Sequence, residues 1–202
     1  MNYLAIDTSG DLLVALNVGE NFKFKHLVGS QTKHSLTLMP YIEQLLDENN
    51  LSISELDFFA VVVGPGSFTG IRIGISTIKA LCYATGKKAL VLTSFDLLAY
   101  ADNSSEKAFC VVDANHDNYY SCAYENKKIT MKECFLSNEE IMQNLGEYTI
   151  CAGHECDLPN VVLCDVVSGL KNAIKEKAND LVNESEILPL YVKRSQAEEE
   201  CS

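Results

Sequence analysis

The residues best suited to chemistry sit at a glycine-rich turn. Phe58 to Val63 is a valine-rich apolar run of strand length that stops at Gly64-Pro65-Gly66, and from Ile71 apolar residues recur at 75, 78 and 82, the spacing of one helical face. A strand, a sharp turn and a helix are expected, with Ser67 or Thr69 supplying the capping oxygen. The unpaired N–H groups and the positive dipole end at such a helix start attract anions. Gly64, Gly66, Ser67 and Thr69 are therefore candidate contacts for a nucleotide or another anion. The turn matches no general phosphate or nucleophile motif. No Gly-Lys-Ser/Thr follows it, the glycines at 64, 66, 70 and 74 do not spell G-x-G-x-x-G, and Gly66 directly beside Ser67 excludes the G-x-S-x-G elbow. The plain alternative is a tight turn that lets the helix pack on the sheet.

The second chemical candidate is Cys151-Ala152-Gly153-His154-Glu155-Cys156 with Cys164 beyond. Three thiols and an imidazole could fill a zinc tetrahedron, but C-x-x-H-x-C is not a usual knuckle, and Cys164 reads as part of a core-facing strand. The eight cysteines are scattered singly through a chain that is 47% hydrophobic, so a stapled secreted domain is not expected and most thiols should be reduced and buried.

A chain of 202 residues suits one domain or two small lobes, at about 100–200 residues per domain. With 16 basic and 28 acidic residues the net charge is −12, and the bases are dispersed. Such a surface repels a phosphate backbone, so nucleic acid should be met only indirectly, through a more basic partner. No apolar run is long enough for a membrane span and the N-terminus has no basic lead-in, so a cytoplasmic protein is expected.

Strands are expected at Tyr3–Asp7, Leu12–Val18 and Phe22–Leu27, a helix from His34 to Glu48 with Pro40 starting or kinking it, the helix from about Thr69 to Ala84, a strand at Lys88–Leu92 and a short helix at Ser94–Tyr100. Asp102 to Glu106 reads as a polar linker, dividing the chain into lobes 1–102 and 106–202. The second lobe repeats the opening three strands at Phe109–Asp113, Tyr119–Tyr124 and Ile129–Leu136. A capping box at Ser137–Glu140 then starts a helix to Leu145, and strands at Tyr148–Ala152 and Val161–Asp165 precede a helix at Ser168–Asn179. Residues 196–200 form a short acidic tail. Three antiparallel strands followed by helix, strand and helix is how a lobe of the actin-like ATPase (ribonuclease H-like) fold begins, so an α/β protein of that fold is expected, two lobes, the second shortened.

The string from Gly64 to Gly74 resembles, nearly letter for letter, the signature of the TsaB family, the bacterial partner subunit in threonylcarbamoyladenosine biosynthesis. In the same order come Leu4-Ala5-Ile6-Asp7-Thr8-Ser9, His34-Ser35 with Leu38-Met39-Pro40, Lys79-Ala80-Leu81, Thr93-Ser94-Phe95, Val112-Asp113-Ala114 and Pro189-Leu190-Tyr191-Val192-Lys193. The resemblance implies the actin-like fold, a TsaD-like catalytic subunit and a TsaE-like ATPase as partners, a homodimer in isolation, and no intrinsic cofactor, with a nucleotide possible at the partner interface. It also places the partner contact on the two helices, at His34, Leu38, Ile42, Gly70, Gly74, Thr77 and Leu81. The small residues of the second helix leave a shallow groove, and Gly74→Glu should abolish partner binding while leaving the fold soluble.

Where active relatives of the fold carry Asp-x-Gly at the first hairpin, this chain has Ser9. Where TsaD carries His-x-x-x-His, Leu38 stands four residues after His34. The arginine-rich turn normal after Asp113-Ala114 is here Asn115-His116-Asp117-Asn118. A non-catalytic scaffold is therefore expected, ahead of a metal-dependent peptidase or a free-standing actin-fold ATPase.

Overall fold

The computed structural model describes residues 1–29 and 34–192; the acidic tail lies outside them. The chain divides into two compact units, Met1–Thr93 with Ile174–Pro189, and Ser94–Ala173 with the residues from Leu190.

Unit 1 is built on a six-stranded sheet. β1 (Tyr3–Asp7), β2 (Leu12–Val18) and β3 (Asn21–Leu27) are antiparallel neighbours, while β4 (Phe58–Val62) and β5 (Ala89–Leu92) continue the sheet in parallel beyond β1. Almost every residue of β1, β2 and β4 is buried, as expected for central strands covered on both faces. α1 (His34–Glu48) and α2 (Phe68–Thr85) pack on this sheet, α1 through His34, Leu38, Ile42 and Leu45. Pro40 does not start α1: it lies inside the helix on its exposed side, with Leu36, whose carbonyl it leaves without its i+4 donor, also at the surface. The sixth strand, β11 (Leu181–Val182), pairs antiparallel with β5 and comes from far along the chain.

Unit 2 repeats the topology. β6 (Lys107–Asp113), β7 (Asn118–Glu125) and β8 (Lys128–Ser137) are antiparallel, and β9 (Thr149–Ala152) and the two-residue β10 (Val162–Leu163) extend the sheet in parallel from β6. α4 (Asn138–Asn144) starts at the expected capping box, the Ser137 hydroxyl accepting from the Glu140 N–H. It covers one face of the sheet with Ile141 over Phe109, Val111, Tyr119 and Ile150. α3 (Ser94–Ala99) takes the opposite face, where the Tyr124 hydroxyl donates to buried Asp96 at 3.2 Å. No helix joins β9 to β10, whereas α2 joins β4 to β5. That missing crossover is what shortens the second unit.

The expected lobe limits, 1–102 and 106–202, differ from this division at both ends. α3 packs against β6, β7 and β9 and so groups with unit 2, and the pairing of β11 with β5 returns Ile174–Pro189 to unit 1. α5 (Val166–Lys177) runs across the division.

Candidate functional site

The glycine-rich turn and the first hairpin close on each other. β1 delivers Asp7, Thr8 and Ser9 to the end of the sheet, and β4 delivers Gly64 to Ser67 beside them. The Ser67 N–H donates to the Ser9 carbonyl at 2.6 Å, and the Thr8 hydroxyl donates to the Gly70 carbonyl at 2.7 Å. A Cβ added at Gly66 would strike the Ser9 carbonyl, one at Gly70 the Thr8 carbonyl, and one at Gly74 the Thr8 hydroxyl. Two glycines inside a helix cost about 1 kcal/mol each relative to alanine. Here that cost permits a backbone-to-backbone approach that no side chain would allow.

Ser67 is the N-cap of α2, its hydroxyl accepting from the Gly70 N–H at 3.2 Å, and Gly86 closes the helix in the left-handed conformation. Of the four anion candidates, Gly64 is buried, Gly66 lies against the Ser9 carbonyl, Ser67 is exposed with its N–H donated to Ser9, and Thr69 is exposed on the helix. The N–H of Ser67 and that of Gly70 are thus both spent within the chain. Behind them Asp7 is held by Ser9, whose N–H and hydroxyl both donate to Oδ1, at 2.8 and 2.6 Å. Burial pushes the Asp7 carboxyl above the usual carboxylate range, against the lowering effect of those hydrogen bonds.

The partner-contact residues expected from the sequence separate into two sets. His34, Leu38, Ile42, Gly70 and Gly74 are turned inward, the helices packing on the sheet through them. Thr77 and Leu81 are half-buried. The shallow groove expected along Gly70 and Gly74 is filled by Thr8, so Gly74→Glu would strike the fold itself. The accessible surface lies one step around each helix. Ser35 and Met39 of α1 and Phe68, Thr69, Arg72, Ile73 and Ser76 of α2 line a groove of about 540 Å³, which buried Leu38 and half-buried Thr77 also border. Phe68 at 50% and Met39 at 42% exposure leave large apolar surface at this place, and the Arg72 guanidinium stacks 3.8 Å from the Phe68 ring centre. The signal for them was an excess: α1 and α2 carry more large apolar residues than one buried stripe can use.

In unit 2 the turn after β6 opens on a hollow of about 640 Å³, walled by Asp113, Asp117, Glu155 and Asp157 over Tyr119 and Leu158. Asp113 forms the strand-end turn, its Oδ1 accepting the Asn115 N–H at 2.8 Å. Among the described residues no group of three or more His, Cys, Asp or Glu side chains is arranged to hold a metal ion. Cys151 and Cys156 do not converge: Cys156 packs on the face covered by α4, whereas Cys151 pairs in register with Cys110 on the other.

Two units, each ordering its parallel strands and its antiparallel hairpin around the first strand in the same way, make this a duplicated ribonuclease H-like protein of the actin-like class. The chain belongs to the family described as TsaD: tRNA N6-adenosine threonylcarbamoyltransferase, whose profile matches residues 29–198. Its curated relatives include the tRNA threonylcarbamoyladenosine biosynthesis protein TsaB of Bacillus subtilis (strain 168), 25% identical over 93% of this chain and 85% of that protein. The protein of the same name from Haemophilus influenzae is 25% identical over 64% of this chain, which spans just 56% of that relative's length. The structure of YeaZ from Pseudomonas aeruginosa superposes with a TM-score of 0.79 at 24% identity, covering 94% of this chain and 99% of that one, which establishes the shared fold.

Proposed function

We propose that this chain is a non-catalytic, activating subunit of a complex that makes threonylcarbamoyladenosine next to the anticodon of tRNA, docking a TsaD-like catalytic subunit through the α1–α2 groove. The observation that carries the reading is the closure of the first hairpin on α2. At the first hairpin, where the resemblance implies phosphate contact in active relatives, Thr8 and Ser9 lie against Gly66 and Gly70, which supports this reading. In this reading the exposed apolar groove is the docking surface, and its size and aromatic-arginine lining suit a protein partner. A TsaE-like ATPase would join the same assembly, with any nucleotide held at the interface between subunits. In isolation the groove would pair two copies of the chain. The net charge of −12 fits a cytoplasmic subunit that leaves tRNA contact to its partner.

Calorimetry with the purified catalytic subunit tests the surface. Phe68→Glu should weaken binding at least tenfold and leave a cooperative melting transition, because Phe68 is half exposed at the wall of the groove. Tyr83→Glu, on a well exposed residue of α2 outside the groove, should leave binding unchanged. Equal affinity for the Phe68→Glu variant and the parent would refute the docking surface.

A further inference from the structure

The α1–α2 groove carries a single charge. From His34 to Ile42 and from Phe58 to Ser76 the only formally charged side chain is Arg72, and neither stretch contains a carboxylate. The acids of α1, Glu43, Asp47 and Glu48, lie on its C-terminal half beyond the groove, and α2 has none along its length. In a chain of net charge −12, an apolar groove whose one ion is a cation stands apart. Helix energetics do not call for it. A cation in the second turn of α2 faces the positive end of the helix dipole, and no acid in the first turn offsets it.

Arg72 is exposed, and its guanidinium lies over the Phe68 ring, 3.8 Å from the ring centroid. That contact uses the face of the guanidinium, whereas its N–H donors lie in its plane, so the stack fixes the side chain without competing for hydrogen bonds. A side chain fixed before docking loses less rotamer freedom on binding. Phe68, Met39 and Ile73 share the groove with it, so a partner that covers their apolar surface also strips water from the Arg72 charge. A wholly apolar partner would leave the cation buried and unpaired, which opposes docking, and a backbone carbonyl would leave its charge unbalanced. A carboxylate meets both demands, its two oxygens accepting paired N–H bonds.

We propose that Arg72 is the specificity-determining residue of this surface, and that the subunit docked in the groove presents to it one carboxylate set among apolar side chains. The pairing rests on the reading that the groove docks the catalytic subunit, and supplies the chemistry of the docked surface. Lys79, the next cation of α2, is half-buried and outside the groove, so the charge is met at one position. A surface with matching apolar residues but no carboxylate is rejected, because dehydrating Arg72 is then uncompensated.

Calorimetry of the full chain with the purified catalytic subunit, at about 0.1 M and about 1 M salt, where the screening length falls from about 10 to about 3 Å, reads the charge directly. Arg72→Met keeps an apolar stem and should weaken binding by about tenfold or more at the lower salt, with a much smaller difference from the parent at the higher. Arg72→Lys should recover part of the loss, since the charge returns without the planar fork. Among Asp→Asn and Glu→Gln changes at exposed carboxylates of the catalytic subunit, one should be non-additive with Arg72→Met in a double-mutant cycle. If the parent binds and Arg72→Met binds as tightly at both salts, the carboxylate pairing is overturned while the docking surface stands. Coupling to none of the partner's carboxylates would overturn it equally. If the parent itself does not bind, the docking reading falls and the pairing falls with it.

Discussion

The two units place an aspartate at the end of their first strand and treat it in opposite ways. Asp7 and Asp113 both accept the N–H of the residue two positions on, at 2.8 Å in each case. Asp7 is part-buried beside a turn on which α2 closes, and its carboxyl is raised by desolvation. Asp113 is exposed at the rim of a hollow. The backbone bond to each aspartate is alike, but the turns differ, Asn115, His116 and Asp117 standing at positive φ and Thr8 to Asp11 not, and so does the crossover after the fourth strand. In unit 1 it is the 18-residue α2, which enters through glycine and fills the space above the turn. In unit 2 it is a loop, and the space stays open. A polar strand end in this topology thus becomes a packed junction or a cleft with the turn that follows it and the next connection.

The contrast breaks most completely at Gly70. Gly70→Leu drives a side chain into the Thr8 carbonyl, backbone against backbone, and should cost upwards of about 3 kcal/mol, enough to remove the cooperative unfolding transition of unit 1 in urea. Gly153→Ala, at the start of the open connection in unit 2, meets only the Val166 and Leu98 side chains, at 3.3 and 3.7 Å, and should change stability by less than about 1 kcal/mol. A smaller probe is Gly74→Ala, whose Cβ meets the Thr8 hydroxyl rather than backbone. It should cost about 1–3 kcal/mol alone, and less in a Thr8→Ala background, a coupling that a double-mutant cycle reads directly. Ser67→Ala removes the cap of α2 and should cost about 1 kcal/mol in denaturant titrations.

The smallest effect is a pH dependence at Asp7. Because its carboxyl titrates higher in the folded than in the unfolded chain, the folded state holds this proton more tightly. Its contribution therefore falls as pH rises from the ordinary carboxylate range through the raised folded value, and the full penalty is present at neutral pH. Asp7→Asn should be least favourable relative to the parent near pH 4 and gain on it as pH approaches 7. A stability difference that does not change with pH would show that the carboxyl is not desolvated.

Much of this contrast was readable in the sequence, and the unread part has physical causes. Valine-rich β4, the Ser67 cap, the Ser137–Glu140 box and the repeated three-strand opening all follow from local patterns that nothing distant overrides. β11 does not: two apolar residues between Asp180 and Asn183 carry no period, and they become a strand through pairing with Leu90 and Ala89 alone. The direction of Gly70 and Gly74 was equally hidden. A glycine pair on a helix signals a close neighbour but not which one, and the neighbour, Thr8, lies more than sixty residues earlier. With those glycines taken inward, the exposed face passes to Phe68, Arg72 and Met39.

Reconstituted threonylcarbamoyladenosine formation on tRNA, with the catalytic subunit, the ATPase and the threonylcarbamoyl-adenylate synthase, decides the role of the chain. Product that requires this chain, and that is lost when Phe68→Glu replaces it, is the predicted result, with no ATP or peptide hydrolysis by the chain alone. Product formed equally well without the chain, or ATP turnover by the isolated chain, would contradict a non-catalytic activating subunit.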